Sequence, residues 1–155
     1  MEIFYRNRSI KKLIPPQTLR YMTLRVARDF LEQYPFQNPQ ISILFVDDDQ
    51  IRVMNKKYRK INSPTDVLSF PMLEKSGAPT PPGEVTPLGD IVISLEAAAR
   101  QAGEMKHSLK KEITLLLVHG LLHLLNYDDE KPKERRRMLD LQKRWMKKLE
   151  KENVW

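Results

Sequence analysis

Short strand-like runs alternating with helix-period segments predict an α/β (α+β) protein, in which a small sheet of roughly four strands packs against several helices. Three observations carry this prediction. Four segments, 1–8, 41–46, 67–70 and 90–94, have strand length and are rich in β-branched or aromatic residues. Longer segments between and after them repeat apolar residues every three or four positions. One of these, 108–125, holds the runs Leu115-Leu116-Leu117-Val118 and Leu121-Leu122, as expected of a central helix.

The elements follow in order. Residues 1–8 are expected to form the first strand. Pro15 and Pro16 then open a helix over 17–34, with Leu19, Met22, Val26, Phe30 and Leu31 on one face. Pro35 and Pro39 bracket the break before the buried strand 41–46. Asp47, Asp48 and Asp49 are placed to cap a helix that runs to about residue 58; a cap with a favourable helix dipole explains them better than a metal cluster does. Strands at 67–70 and 90–94 flank the segment 72–88, where Pro79, Pro81, Pro82, Gly83 and Pro87 predict a mobile loop, either beside an active cleft or an idle surface insertion. Helices are expected at 95–105, 108–125 and 132–151, the last opening a basic C-terminal region, 132–155.

At 155 residues the chain is long enough for one domain, 1–155, with a proper core. It has no cysteine, so disulfides and thiolate ligands are excluded, in keeping with a reducing cytoplasm. The N-terminus lacks the apolar run of a signal peptide, and no stretch reaches the length of a membrane span, so a cytoplasmic location without membrane association is expected. The net charge of +7 and a pI near 9.6 point to a polyanionic partner. Ten of the 27 basic residues lie in the segment 131–151, which includes Arg135, Arg136 and Arg137. A run of this kind can be a solvated helix face, but beside a metal site it points to nucleic acid held through its phosphates.

The most specific pattern is His119 and His123, four residues apart on the central helix and therefore on one face. Two buried imidazoles need partners for four ring nitrogens, and a metal ion meets that need. Asn126 is suited to end the helix in the left-handed region, so the chain can return Asp129 as a third ligand. Three protein ligands with a position left for water is the pattern of a catalytic zinc site. The residue after His119 is Gly120, where zinc peptidases of the His-Glu-x-x-His type carry the general base, which argues against a peptidase. His107 lies about 18 Å from His119 along a continuous helix and is expected at the surface.

His119-Gly120-x-Leu122-His123-Leu124 followed by Tyr127-Asp128 resembles the signature of the YbeY endoribonuclease family. Thr65-Asp66-Val67-Leu68-Ser69-Phe70-Pro71 and Leu88-Gly89-Asp90-Ile91-Val92-Ile93-Ser94 resemble its two strand motifs, and Met138-Leu139-x-Leu141-Gln142 its final helix. Two positions depart from the family pattern: Asn126 stands in place of glycine, and Asp129 in place of a third histidine. A carboxylate still binds zinc, but its charge makes the metal a weaker acidifier of water and favours harder ions such as manganese. Asp128 or a further water is the alternative third ligand.

The resemblance implies a zinc-dependent, single-strand-favouring endoribonuclease of ribosomal RNA maturation and ribosome quality control. It implies one zinc ion, or another divalent transition metal, on His119, His123 and Asp129. It makes Arg59, from the basic stretch before the strand motif, the group that stabilises charge on the phosphate. With His119 as the other catalytic residue, Arg59, Arg135, Arg136 and Arg137 become the expected RNA contacts. The implied partners are single-stranded RNA, ribosomal RNA, small-subunit ribosomal proteins and an Era-type GTPase. Asp66 and Ser69 are expected to serve the strand and its turn, with substrate contact as the alternative; Asp90 is placed either to orient a ligand histidine or to sit in a cap or turn, and Asp128 could also orient one. Two other readings remain: a non-catalytic RNA-binding ribosome-assembly factor with a structural metal, and a zinc-dependent hydrolase of peptides or small molecules.

Overall fold

The computed structural model describes residues 1–75 and 79–155. The elements run β1 (Glu2–Asn7), α1 (Pro16–Leu31), β2 (Pro39–Val46), α2 (Asp48–Arg59), β3 (Val67–Pro71), β4 (Thr86–Ser94), α3 (Leu95–Met105), α4 (Leu109–Leu124) and α5 (Pro132–Lys151). The four strands form one sheet in the order β1-β2-β4-β3. β1 and β4 both pair in parallel with β2, and β3 runs antiparallel to β4 at the edge. The expected α+β architecture is therefore present, with a mixed sheet.

Period-two alternation divides the sheet into two faces. Ile41, Ile43 and Phe45 of β2 and Ile91 and Ile93 of β4 join the main core with α1, α4 and α5. Val46, Leu68 and Val92 point to the other face and pack with Ile51 of α2. α5 is tied to α1 by Phe30 and Trp145, whose ring centroids lie 4.8 Å apart.

α2 is capped as its sequence predicts: the Asp47 amide donates to Gln50 Oε1 at 3.0 Å, half of a capping box. The carboxylates of Asp47 and Asp48 also make structural contacts. The Asp47 carboxylate accepts from Ser9 Oγ and from the Ile10 amide, and Asp48 accepts from Ser94 Oγ and Arg100.

The expected 72–88 loop needs correction at its C-terminal end, because β4 begins at Thr86 and not at residue 90. Pro87 has no amide hydrogen to give a regular ladder, and the strand accommodates it beside a bulge at Leu88: Gln40 pairs with Pro87 and Ile41 with Gly89. Gly89 has φ +130°, and a Cβ there would sit 2.1 Å from the Phe70 carbonyl oxygen, so only glycine lets β3 lie this close. The middle of that loop, residues 76–78, lies outside the described residues. α1 ends at Leu31, three residues before the expected end, in a turn that leads to Pro35.

Candidate metal centre and its cleft

α4 is buried on almost every side, as a helix apolar all round must be. Its half-buried positions from Lys111 onward are Lys111, Leu115, His119 and His123, a single stripe at four-residue spacing. The helix therefore opens along one line, and the two histidines occupy its C-terminal half. Gly120 lies off that line: a Cβ there would approach Ile91 Cγ2 to 2.9 Å. A glutamate at this position would enter the core and not the cleft, so the peptidase arrangement is sterically barred as well as absent from the sequence.

The end of α4 explains how the third donor arrives. Asn126 adopts φ +62°, its amide bonds the His123 carbonyl at 2.9 Å, and the Tyr127 amide bonds the Leu122 carbonyl at 3.1 Å. This is the paired hydrogen bonding of a Schellman turn, which Asn126 supports as the sequence predicted. The reversal brings Asp129 Oδ2 to 3.9 Å from His119 Nε2 and 3.7 Å from His123 Nε2. Asp128 takes a different role, its Oδ1 accepting from the Glu130 amide at 2.9 Å within the turn.

The ring nitrogens specify the chemistry. His119 Nδ1 lies 2.9 Å from Gln142 Oε1, and His123 Nδ1 lies 3.0 Å from the Tyr127 carbonyl. Both oxygens only accept, so in the neutral rings both Nδ1 atoms carry the hydrogen and both Nε2 atoms present lone pairs. Those two Nε2 atoms are 3.0 Å apart. Two lone pairs at this distance repel unless a cation stands between them, and Asp129 adds a third electron-rich atom within 4.8 Å of the others. Metal–ligand bonds of about 2.0–2.1 Å at tetrahedral angles require donor separations of roughly 3.3–3.4 Å. The observed edges straddle that value by a few tenths of an ångström, so the donor set fits a small divalent ion. Burial, then the neighbouring positive charge of a protonated His119, hold the His123 pKa below its ordinary 6.5 and favour the neutral ligand form.

Of the two roles open to Asp90 and Asp128, orienting a ligand histidine falls to neither. Gln142 and the Tyr127 carbonyl orient the rings instead. Gln142 belongs to α5 and lies 23 residues beyond His119, so no local spacing pointed to this contact. His107 departs from expectation: its side chain is 17% exposed and pairs with Glu112, which is 4% exposed. The left-handed Lys106 turns the chain after α3 and directs His107 against the first turn of α4, away from the surface.

The triad opens into a cleft of about 720 Å³ that also meets Arg59, Asp66, Ser69 and Leu73. Arg59 is held in place by a 2.8 Å hydrogen bond to the Ser69 carbonyl and lies 5.9 Å from the Phe70 ring centroid. Asp66 accepts from the Val67 amide and Gln101 Nε2, the structural role expected of it. Arg135, Arg136 and Arg137 lie on α5 outside this cleft; Arg136 and Arg137 line an adjoining one.

Fold and site together define an α+β protein with two imidazoles and a carboxylate converging at the open end of a central helix. A family model described as Endoribonuclease YbeY matches residues 4–150. An Endoribonuclease YbeY of Pelotomaculum thermopropionicum is 45% identical over 129 residues, which is 82% of this chain and 84% of the relative. The Aquifex aeolicus Endoribonuclease YbeY is 40% identical over 147 residues, 94% of each chain. The solution structure of a Thermotoga maritima protein shares the fold, with a TM-score of 0.65 at 21% identity over 98% of this chain and 94% of that one. The chain belongs to the YbeY endoribonuclease family.

Proposed function

We propose that this protein is a metal-dependent endoribonuclease that cuts single-stranded RNA during ribosomal RNA maturation and ribosome quality control. Family membership makes it an endoribonuclease acting in ribosomal RNA processing. The observation that carries the metal dependence is the pair of Nε2 lone pairs 3.0 Å apart with Asp129 beside them. His119, His123 and Asp129 hold one ion, zinc in the first instance. When bound, such an ion acidifies a water and offsets negative charge at the phosphate.

The chain's own residues supply the rest. Gln142 and the Tyr127 carbonyl hold both rings with Nε2 toward the cleft. Arg59 is anchored by Ser69 and faces the same cleft, where its planar fork suits two phosphate oxygens and stabilises their charge as the bond breaks. The whole chain acts as one domain in the cytoplasm, and small-subunit ribosomal proteins and an Era-type GTPase are the expected partners. No helix of the described residues is long and apolar enough to cross a membrane.

The test is cleavage of an end-labelled, unstructured RNA by the metal-loaded protein beside His123→Ala purified in parallel. Cleavage by the wild type alone supports the assignment. Equal cleavage by both means a contaminating nuclease or a site elsewhere, and cleavage by neither favours the non-catalytic assembly factor. Arg59→Ala is expected to lower kcat by about 10²-fold, the usual cost of removing one group that stabilises transition-state charge.

A further inference from the structure

The cleft around the triad is a poor grip for RNA by its own charge. Among the described residues, Asp66, Asp128, Asp129 and Glu130 line it against Arg59 and Lys75 alone. A divalent ion brings this balance to neutrality but not to a positive field. The polyanion therefore has to be held from outside, where Arg135, Arg136 and Arg137 are the contacts expected from the sequence without a defined path for the strand.

Next to the cleft, across Tyr127, lies a second groove of about 430 Å³ on α5. It is lined by Lys133, Arg136, Arg137 and Arg144, with Asp140 as its one carboxylate. These positions recur at helical spacing, so they form one face of α5, all of it exposed. Among the described residues, the side chains of Lys133, Arg136 and Arg144 make no hydrogen bond or ion pair, and Arg137 lies 5.7 Å from the Tyr127 ring centroid. Four cations crowded onto one face around a single carboxylate, Asp140, leave an excess of positive charge, and a phosphate chain relieves their repulsion. Tyr127 lines both grooves and joins them. Arg135 points elsewhere, because three consecutive residues cannot share one face of a helix.

We infer that the α5 groove of Lys133, Arg136, Arg137 and Arg144 is a second RNA subsite, which holds the backbone of the single strand flanking the scissile phosphate. The strand passes from the triad over the Tyr127 ring into this groove. The contacts are to phosphate and carry no sequence preference. The inference rests on the endoribonuclease reading and adds to it where the strand runs.

The experiment measures binding of an unstructured, end-labelled RNA against salt concentration, with cleavage followed in parallel. For R136A/R144A the salt slope is expected to fall by about 1.4, since each single-strand phosphate contact contributes about 0.7. KM should rise by more than kcat falls. D140N removes the only opposing charge and is expected to tighten binding severalfold; all three positions are exposed, so the fold does not depend on them. A wild type that cuts RNA while R136A/R144A keeps its full slope overturns the groove alone. A wild type that neither binds nor cuts RNA overturns the groove together with the endoribonuclease reading.

Discussion

At the level of single residues, the triad is prepared by what its ring nitrogens do on the side away from the cleft. A neutral amide oxygen on His119 and a backbone carbonyl on His123 select the tautomer without adding charge. Partners of this kind commonly account for about 10–100-fold in metal affinity. Gln142→Leu is accordingly expected to weaken zinc binding by about that factor, and Gln142→Glu to retain it, as read by competition with a chromophoric chelator. An unchanged affinity in Gln142→Leu would show that the ring is oriented by packing alone. The depressed pKa of His123 has a second consequence. Below pH 6.5 the unfolded chain takes up a proton that the folded chain resists, so this group leaves stability untouched above pH 6.5 and lowers it progressively beneath. The imidazole resonance of His123 in the metal-free protein should titrate with a midpoint below 6.5; a midpoint at or above that value contradicts the effect of burial.

At the level of elements, α4 and the β3–β4 pair place the two halves of the cleft. α4 is nearly all core, and its open stripe alone determines where a polar side chain can look outward. β3 brings the Ser69 carbonyl that anchors Arg59, and it pairs with β4 along its whole length, ending at Pro71 opposite Gly89. Gly89→Ala meets both a φ that disfavours a side chain and the Phe70 carbonyl at 2.1 Å. It is expected to destabilise the protein by about 3 kcal/mol, measured by urea denaturation. A loss under about 0.5 kcal/mol, the range of an ordinary surface substitution, would mean that the bulge relaxes freely.

For the whole molecule, the core is continuous across α1, α4, α5 and one face of the sheet, and the triad stands at its margin. Folding is therefore expected to proceed without an ion. Chelation is expected to abolish cleavage while the far-UV circular dichroism is retained, with Tm falling only as far as ligand linkage requires. Melting on chelation at ambient temperature would make the metal structural. The charge is likewise distributed over the molecule as a whole, with carboxylates at the triad and cations on the neighbouring helix. The excess of +7 alone does not reveal this division.

Local rules in the chain determined the element order, the capped α2, the turn at Asn126, and a histidine pair one turn apart. Each depends on spacing or backbone preference over a few residues. The bulge that lengthens β4 and the contact from Gln142 to His119 were decided by tertiary structure. These depend on how helix faces and strand registers meet across the core, and packing geometry of that kind leaves no periodic trace in the chain.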